Sequence, residues 1–321
     1  MAADNMTTKL TKTIPDEMAG LRLDQALARL FPDYSRSRLK AWLVKGEVLV
    51  NGLEMRPRDK VDGGEEVQLA ATPEVAVSSV AQPIELNVMY EDESLLVINK
   101  EAGLVVHPGA GNPSGTLMNG LLHHAPALEE LPRAGIIHRI DKLTTGLLLV
   151  AKTLPAHTAL VRALAEREIS RRYVAICHGV LTGGGTIREP IGRHPTDRTR
   201  MAVNSNGKPA VTHYTVRERF RGHTSVDVSL DTGRTHQIRV HFAHRRRALI
   251  GDPVYGGRLA LPKGASEELI TALREFKRQA LHAATLEFEH PESGETVHVE
   301  APLPEDLVTL LDVLRRDAAC A

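Results

Sequence analysis

The stretch ATPEVAVSSVAQP, residues 71–83, divides the chain into two segments with different apolar patterns. Its small residues, prolines and serines suit a linker. Before it, Leu23, Ala26, Leu27 and Leu30 recur at i, i+3, i+4, i+7, which predicts an amphipathic helix. FPDYS breaks that helix, and Ser35 is placed to cap a second one with Leu39, Trp42 and Leu43 on one face. EVLVNG reads as a short strand running into an Asn51-Gly52 turn, and VDGGEEVQL as a second turn and strand. Residues 1–19 are polar, lack apolar periodicity and read as a flexible tail, so the N-terminal domain with its linker is set at 20–80.

From residue 81 to 321 strands dominate. SLLVINK and GLLLVAKT are buried-strand candidates, and TSVDVSLDTG alternates with Val226, Val228 and Leu230 on one face. AVTHYTVRERF and THQIRVHF read the same way, which would put His236 and His241 on opposite faces of one strand. Helices intervene: Pro155 suits a first turn followed by Ala159, Leu160, Ala163 and Leu164, and Ser266 can cap SEELITALREFK. These helices are too few and irregular for a βαβ series. The expected class is α+β, a mixed and largely antiparallel sheet flanked by helices and loops. A length of 321 residues fits two domains.

No apolar run approaches the ~18 residues of a membrane span, and no secretory leader is visible. Two cysteines, Cys177 and Cys320, cannot build a disulfide framework. A cytoplasmic protein without membrane attachment, monomeric by default, is expected. The formal net charge is zero, which on its face argues against a polyanionic partner, but the charge is polarised. Residues 162–247 carry 17 basic and 7 acidic residues, a net of +10, and residues 252–321 carry 7 basic and 13 acidic, a net of −6. A local basic face is what binds nucleic acid. Aromatic residues are 3% of the chain, so such binding does not rest mainly on stacking.

GIIHRIDKLTTGLLLVAKT, residues 135–153, carries the most chemical information. A buried-type strand follows a turn containing His138, Arg139, Asp141, Thr144, Thr145 and Gly146. A carboxylate at the mouth of a strand among cations fits a catalytic acid kept ionised by its neighbours. The other use of such a residue is a turn aspartate accepting backbone N–H groups. HPGAGNPSG lacks the spacing of a dinucleotide fingerprint. The histidines at 123, 124, 236, 241 and 244 lack zinc spacing and companion cysteines, so no metal is expected. His107 and His138 are expected to be hydrogen-bonded near the pocket.

HRIDKLTTG resembles the signature motif of the RluA-type pseudouridine synthases, which isomerise uridine in RNA. RRYVAICHG and DTGRTHQIRVH resemble further motifs of that family, in order, and ALIGDPVYGG and QALHAATLEFEHP follow suit. LRLDQALARLFPDYSRSRLKAWLVKGEVLVNG resembles the alpha-L RNA-binding motif of a small-subunit ribosomal protein. The resemblance runs from about residue 21 to 315. It implies a central catalytic cleft, with Asp141 as the catalytic aspartate and Tyr173 packing on the target base. It also implies Arg234 as the arginine paired with Asp141, Ile238 as an apolar wall of the base pocket, and Arg139 as the residue filling the space of the flipped nucleotide. Ile140 and Leu143 depart from the commoner Leu and Asp of the motif. LFPDYSRSRLK and HRIDKLTTG are most similar to family members acting on large-subunit (23S) ribosomal RNA in the helix 69 stem-loop. That similarity implies this RNA, free or within the assembling subunit, as the partner.

The chemistry breaks N1–C1′, turns the ring and joins C5 to C1′, with no redox or group transfer, so no cofactor is expected. A carboxylate near C1′ can act as nucleophile or as general acid/base. The uridine must first leave its stack. Arg36, Arg38, Lys40 and Lys45, on and after the second N-terminal helix, are expected to contact phosphates without reading sequence. The rival readings are a non-catalytic RNA-binding or ribosome-assembly factor, against which the trio Asp141, Tyr173 and Arg234 speaks, and a sister synthase acting on other uridines.

Overall fold

The computed structural model describes residues 8–31, 36–71, 80–109, 111–197 and 199–320, with the backbone alone at 8, 9, 36–38, 41, 70 and 71. Contacts divide the chain into two compact units, Met1–Ser78 and Ser79–Ala321.

In the first unit, β1 (Thr8–Thr13), α1 (Leu23–Leu30), α2 (Arg36–Val44), β2 (Val48–Val50) and β3 (Glu66–Ala71) follow in order. The strands form an antiparallel sheet of order β1-β3-β2. Leu23, Ala26 and Leu27 from α1 and Leu39, Trp42 and Leu43 from α2 are buried against Val48, Val50, Val67 and Leu69. Asn51 and Gly52 both take positive φ, 49° and 78°, as the tight turn after β2 requires. The expected tail is shorter than 1–19, because Thr8–Thr13 pairs with β3 along its whole length. Its sequence hides this: an edge strand needs only backbone bonds, and among its described side chains Leu10 turns inward, followed by Ile14 just past the strand. The capping role expected of Ser35 and most of the 71–83 linker lie outside the described residues.

The second unit continues with β4 (Val88–Glu91), β5 (Leu95–Lys100), α3 (Leu117–His124), β6 (Thr145–Ala151), α4 (Leu154–Glu166), β7 (Ser170–His178), β8 (Gly185–Arg188), β9 (Ile191–Arg193) and β10 (Met201–Val203). It ends with β11 (Val211–Arg219), β12 (His223–Leu230), α5 (Gln237–His244), α6 (Glu267–Glu275), β13 (Leu281–Glu289), β14 (Thr296–Glu300) and α7 (Glu305–Ala319). A nine-stranded sheet of order β4-β5-β6-β13-β7-β12-β11-β8, with β14 beside β13, organises the unit. Its pairs are antiparallel except β6 with β13. On β5 and β6, Leu96, Ile98, Leu148 and Val150 join one core, and Leu95, Val97, Leu147 and Leu149 another. Both sheet faces are covered, which is why these strands read as unbroken apolar runs. Thr153 caps α4 by accepting from Ala156 N at 3.3 Å, and Ser266 caps α6 by accepting from Leu269 N at 3.2 Å.

THQIRVHF is not a strand. Gln237–His244 is helix α5, entered through His236 at φ 57°. The alternation of Ile238, Val240 and Phe242 imitated a strand because the helix is buried on two sides. Ile238 and Phe242, four apart, enter the main core, while Val240 packs with Ile191 and Ala210. His236 and His241 therefore do not sit across a strand. His241 is buried, with Nδ1 2.8 Å from Thr212 Oγ1 and Nε2 2.9 Å from the Glu189 carbonyl oxygen.

Candidate active site

The loop Ile137–Thr144 feeds β6, at the middle of the sheet. It leaves antiparallel contact with β6 at Ile137, whose N–H donates to Leu149 O at 3.1 Å, and turns so that Thr144 N donates to Asp141 O at 3.0 Å. The turn re-enters β6 through Gly146 at φ 110°, where a Cβ would stand 2.2 Å from Ala283 O of the parallel neighbour β13. Only glycine permits that approach. Lys100, buried at the end of β5, ties the loop from below: its Nζ donates to the carbonyls of Glu101, Leu104 and Lys142 at 2.6, 3.0 and 3.1 Å. Burial brings its pKa down to about 8, against the opposing pull of Asp141.

Asp141 is 17% exposed at the rim of a cavity of about 310 Å³. That volume is at the lower end of small-molecule sites and suits one flat ring with part of its sugar. Tyr173, Ile238, Leu281, Ile136 and Leu164 supply apolar walls. Tyr173 is buried on β7 between β12 and β13, and burial raises its hydroxyl pKa, so the ring is neutral. A second cavity of about 460 Å³ opens on the other side of Asp141 and shares Arg139, His236 and Arg239 with the first. Arg139 is exposed at the border of both.

The arginine that holds Asp141 is Arg239. Its Nη1 donates to Asp141 Oδ2 at 2.8 Å. Arg234, expected in that place, instead donates from Nε to Pro209 O at 3.2 Å, although it also lines the cavity. The helix explains the exchange: with α5 starting after His236, Arg239 lies one turn inside it, and Arg234 precedes it. Arg239 is itself held by Asp252, Nε to Oδ2 at 2.7 Å and Nη2 to Oδ1 at 2.9 Å. Asp252 also accepts from the N–H groups of Val254 and Tyr255 at 2.9 and 3.0 Å. Burial alone would raise the Asp252 pKa, but these bonds hold it below its ordinary value. Burial likewise opposes the charge of Arg239, and its two carboxylates more than restore it. The Arg239 guanidinium also lies 5.0 Å from the centre of the Tyr255 ring.

His236 completes the acid's surroundings. Its Nε2 is 3.8 Å from Asp141 Oδ1 and its Nδ1 is 2.8 Å from the Tyr255 hydroxyl. Burial lowers its pKa despite the nearby acids. His138, in the same loop, is buried and accepts from Leu149 N at 3.3 Å. Its pKa falls to about 3, chiefly by burial and then by the charge of Arg171. His107 falls to about 4 for the same first reason, aided by Arg133 and Arg139. The histidines around the cavity are thus neutral near pH 7.

Sequence reasoning placed Asp141, Tyr173, Ile238 and Arg139 in positions that the structure brings together. It missed Arg239, Asp252, His236, Tyr255 and Lys100. A lone arginine among apolar residues in QIRVHF, and an acid in the nearby GDPVYGG, were the available signals. Lys40 and Lys45 are exposed in the first unit, whereas the side chains of Arg36 and Arg38 lie outside the described residues.

Residues 94–244 match the family described as RNA pseudouridylate synthase, and residues 21–67 match the S4 domain. A ribosomal large subunit pseudouridine synthase D of Xylella fastidiosa (strain Temecula1) is 56% identical over 307 residues, 96% of this chain and 93% of the relative. The chain belongs to the RNA pseudouridylate synthase family. It is accordingly an isomerase. The synthase D of Escherichia coli (strain K12) is also 56% identical, over 96% of this chain and 95% of its own length. Among solved structures, human RNA pseudouridylate synthase domain containing 4 superposes with a TM-score of 0.56 at 25% identity, covering 71% of this chain and 93% of that one. The human domain containing 1 protein gives a TM-score of 0.53 at 25% identity, over 73% and 96%.

Proposed function

We propose that this isomerase converts uridines of large-subunit ribosomal RNA to pseudouridine, with the helix 69 stem-loop as its target region, and that Asp141 is its catalytic residue. The observation that carries the reading is Asp141 at the rim of a ring-sized cavity, fixed by a guanidinium that Asp252 immobilises in turn. The relatives' printed names support the choice of RNA.

In this reading the target uridine swings out of its stack, and Arg139 at the shared border of the two cavities occupies or braces the vacated place. The ring enters the 310 Å³ cavity against Tyr173 and Ile238. Asp141 then meets C1′ and its neighbouring atoms as nucleophile or as base. Arg239 aims the carboxylate, one bond on Oδ2 leaving Oδ1 toward the cavity side where His236 is 3.8 Å away. The apolar walls hold the ring while it is detached and turns to present C5. The N-terminal unit at 20–80 binds RNA through its basic helix, Arg36, Arg38, Lys40 and Lys45 contributing phosphate contacts. No described helix is long and apolar enough to cross a membrane. The protein acts as a monomer in the cytoplasm on free RNA or an assembling subunit.

The test is chemical mapping of pseudouridine in large-subunit ribosomal RNA incubated with the protein. Modification clustered in helix 69 is expected. An active protein modifying other uridines would overturn the site choice, and RNA binding without any pseudouridine would favour an assembly factor.

A further inference from the structure

Five arginines line the cavity of Asp141: Arg133, Arg139, Arg171, Arg234 and Arg239. Their charges are not equally available. Arg239 is committed to two carboxylates, and Arg234 donates to a backbone carbonyl. Arg133 and Arg139 are exposed, where water screens them. Arg171 differs from all four. It is half-buried, its Nε is shut away from solvent, and among the described residues its guanidinium meets neither a hydrogen-bond acceptor nor a carboxylate. A guanidinium kept inside a pocket with its donors unused is a costly arrangement unless a ligand completes it.

Its position says which ligand atoms. Arg171 and Tyr173 are two residues apart on β7, so their side chains leave the same side of the strand about 6.6 Å apart. Both line the cavity. The guanidinium rests beside Gly233, where a Cβ would come within 3.1 Å of Nη1. A side chain there would press on the planar group. The cation therefore stands at the edge of the space that the Tyr173 ring walls, the place of the heteroatom edge of a uracil packed on that ring.

The reaction creates a need for such a group. When N1–C1′ breaks, the bonding pair leaves with the ring and spreads over N1, O2 and O4, while C1′ becomes electron-poor and faces Asp141. When C5 bonds to C1′, the ring supplies the pair; C5 then loses its proton and N1 gains one. Between these events the uracil is an anion. If Asp141 instead adds to the ring first, negative charge still develops on the ring oxygens. Preorganised donors aimed at developing charge in an enclosed site are among the strongest catalytic devices.

We propose that Arg171 is a further catalytic residue, donating to a carbonyl oxygen of the uracil and stabilising the negative charge on the detached ring. This inference rests on the reading of the Asp141 cavity as the uridine site.

The experiment compares the full-length wild type with Arg171→Gln and Arg171→Lys on large-subunit ribosomal RNA. Three quantities are measured: single-turnover rate at saturating enzyme, RNA affinity at several salt concentrations, and thermal unfolding. The Gln variant is expected to lose a hundredfold or more in rate, the range seen on removing one oxyanion donor. Its affinity, salt slope and unfolding temperature should stay near those of the wild type, because the guanidinium holds no other part of the protein. The Lys variant should recover part of the rate, since it restores charge without the fork. A Gln variant within threefold of the wild-type rate would overturn the proposal. A shallower salt slope with an unchanged rate would overturn it too, assigning Arg171 to a phosphate. A wild type that makes no pseudouridine at all would instead defeat the proposed function, which keeps the two failures apart.

Discussion

Arg239 meets Asp252 through two hydrogen bonds, 2.7 and 2.9 Å, and this two-point clamp leaves the remaining amino group 2.8 Å from Asp141 Oδ2. One planar group thus joins two acids with different duties. Asp252 is completely buried and also takes two backbone N–H groups, so it is an anchor. Asp141 is partly exposed and keeps one oxygen directed elsewhere. A guanidinium can do this because its donors are fixed in a plane.

Asp141→Asn should abolish pseudouridine formation while leaving RNA affinity intact or slightly higher, since a negative charge near phosphates is removed. A loss above about a thousandfold, roughly 4 kcal/mol in the barrier, is expected in single-turnover assays. Turnover retained within about tenfold would remove Asp141 from the catalytic role.

Arg239→Ala should be worse than Arg234→Ala in both activity and stability. Removing Arg239 strands the buried Asp252 without its partner, a defect of about 3–5 kcal/mol, and frees Asp141 to rotate. Arg239→Lys should recover only part of either loss. Arg234 gives up one hydrogen bond to Pro209 O, about 1 kcal/mol. Paired thermal melts and single-turnover rates check the ranking; an inactive Arg234→Ala beside an active Arg239→Ala would reverse it.

Residue chemistry in a continuous segment was legible from the sequence; side-chain pairing across segments was less so. The turn before β6 announced itself because an unbroken apolar strand must begin where a polar loop ends. Arg239 did not, because burial of α5 on two sides gave Ile238, Val240 and Phe242 the period of a strand. β1 was invisible because its stability comes from backbone bonds to β3. Lys100 was unreadable because its acceptors are three carbonyls, which no sequence pattern marks.

Stability should fall in mild acid. His138, His223 and His282 are buried and their pKa values are brought down by burial to about 3, 4 and 4. In the unfolded chain each titrates near 6.5. Between these values the unfolded state binds the proton and the folded state does not, so unfolding is favoured as pH falls. The contribution is fully present above about pH 6.5 and is lost progressively toward pH 4, at up to ~1.4 kcal/mol per pH unit for each histidine. Among the described residues both buried ring nitrogens of His223 have no hydrogen-bond partner, so His223→Leu should flatten the dependence of the unfolding temperature on pH. An unchanged slope in that variant would show that His223 binds protons alike in the folded and unfolded states.

Residues 79–321 should fold alone. The cores of the two units share no residue: one is built from residues between Ile14 and Leu69, and the others begin at Leu95. The truncated protein should show a cooperative melt, weaker RNA affinity and less selective modification. Loss of the melting transition would mean that the N-terminal unit is required for folding, and unchanged site choice would mean that it does not select RNA.

RNA binding should depend strongly on salt although the formal net charge is zero. The net +10 of residues 162–247 is a local property, whereas several acids of the C-terminal stretch are already neutralised within the protein. Glu268 pairs with Arg316 at 2.6 Å, Asp306 with Arg278 at 2.6 Å and Asp317 with Arg221 at 2.8 Å. Each phosphate neutralised contributes a slope of about −0.7 to −0.9 in log affinity against log salt. Several contacts together should cost orders of magnitude in affinity between low and moderate salt. Reversing Arg36, Arg38 and Lys40 together should reduce the slope by roughly one unit per lost contact, with the chemical step on bound RNA nearly unchanged. Titrations across salt, paired with single-turnover rates at saturating enzyme, separate the two effects. A flat wild-type slope would remove phosphate contacts as the source of affinity. An undiminished slope in the triple variant would shift the RNA path away from α2 and onto the basic 162–247 region.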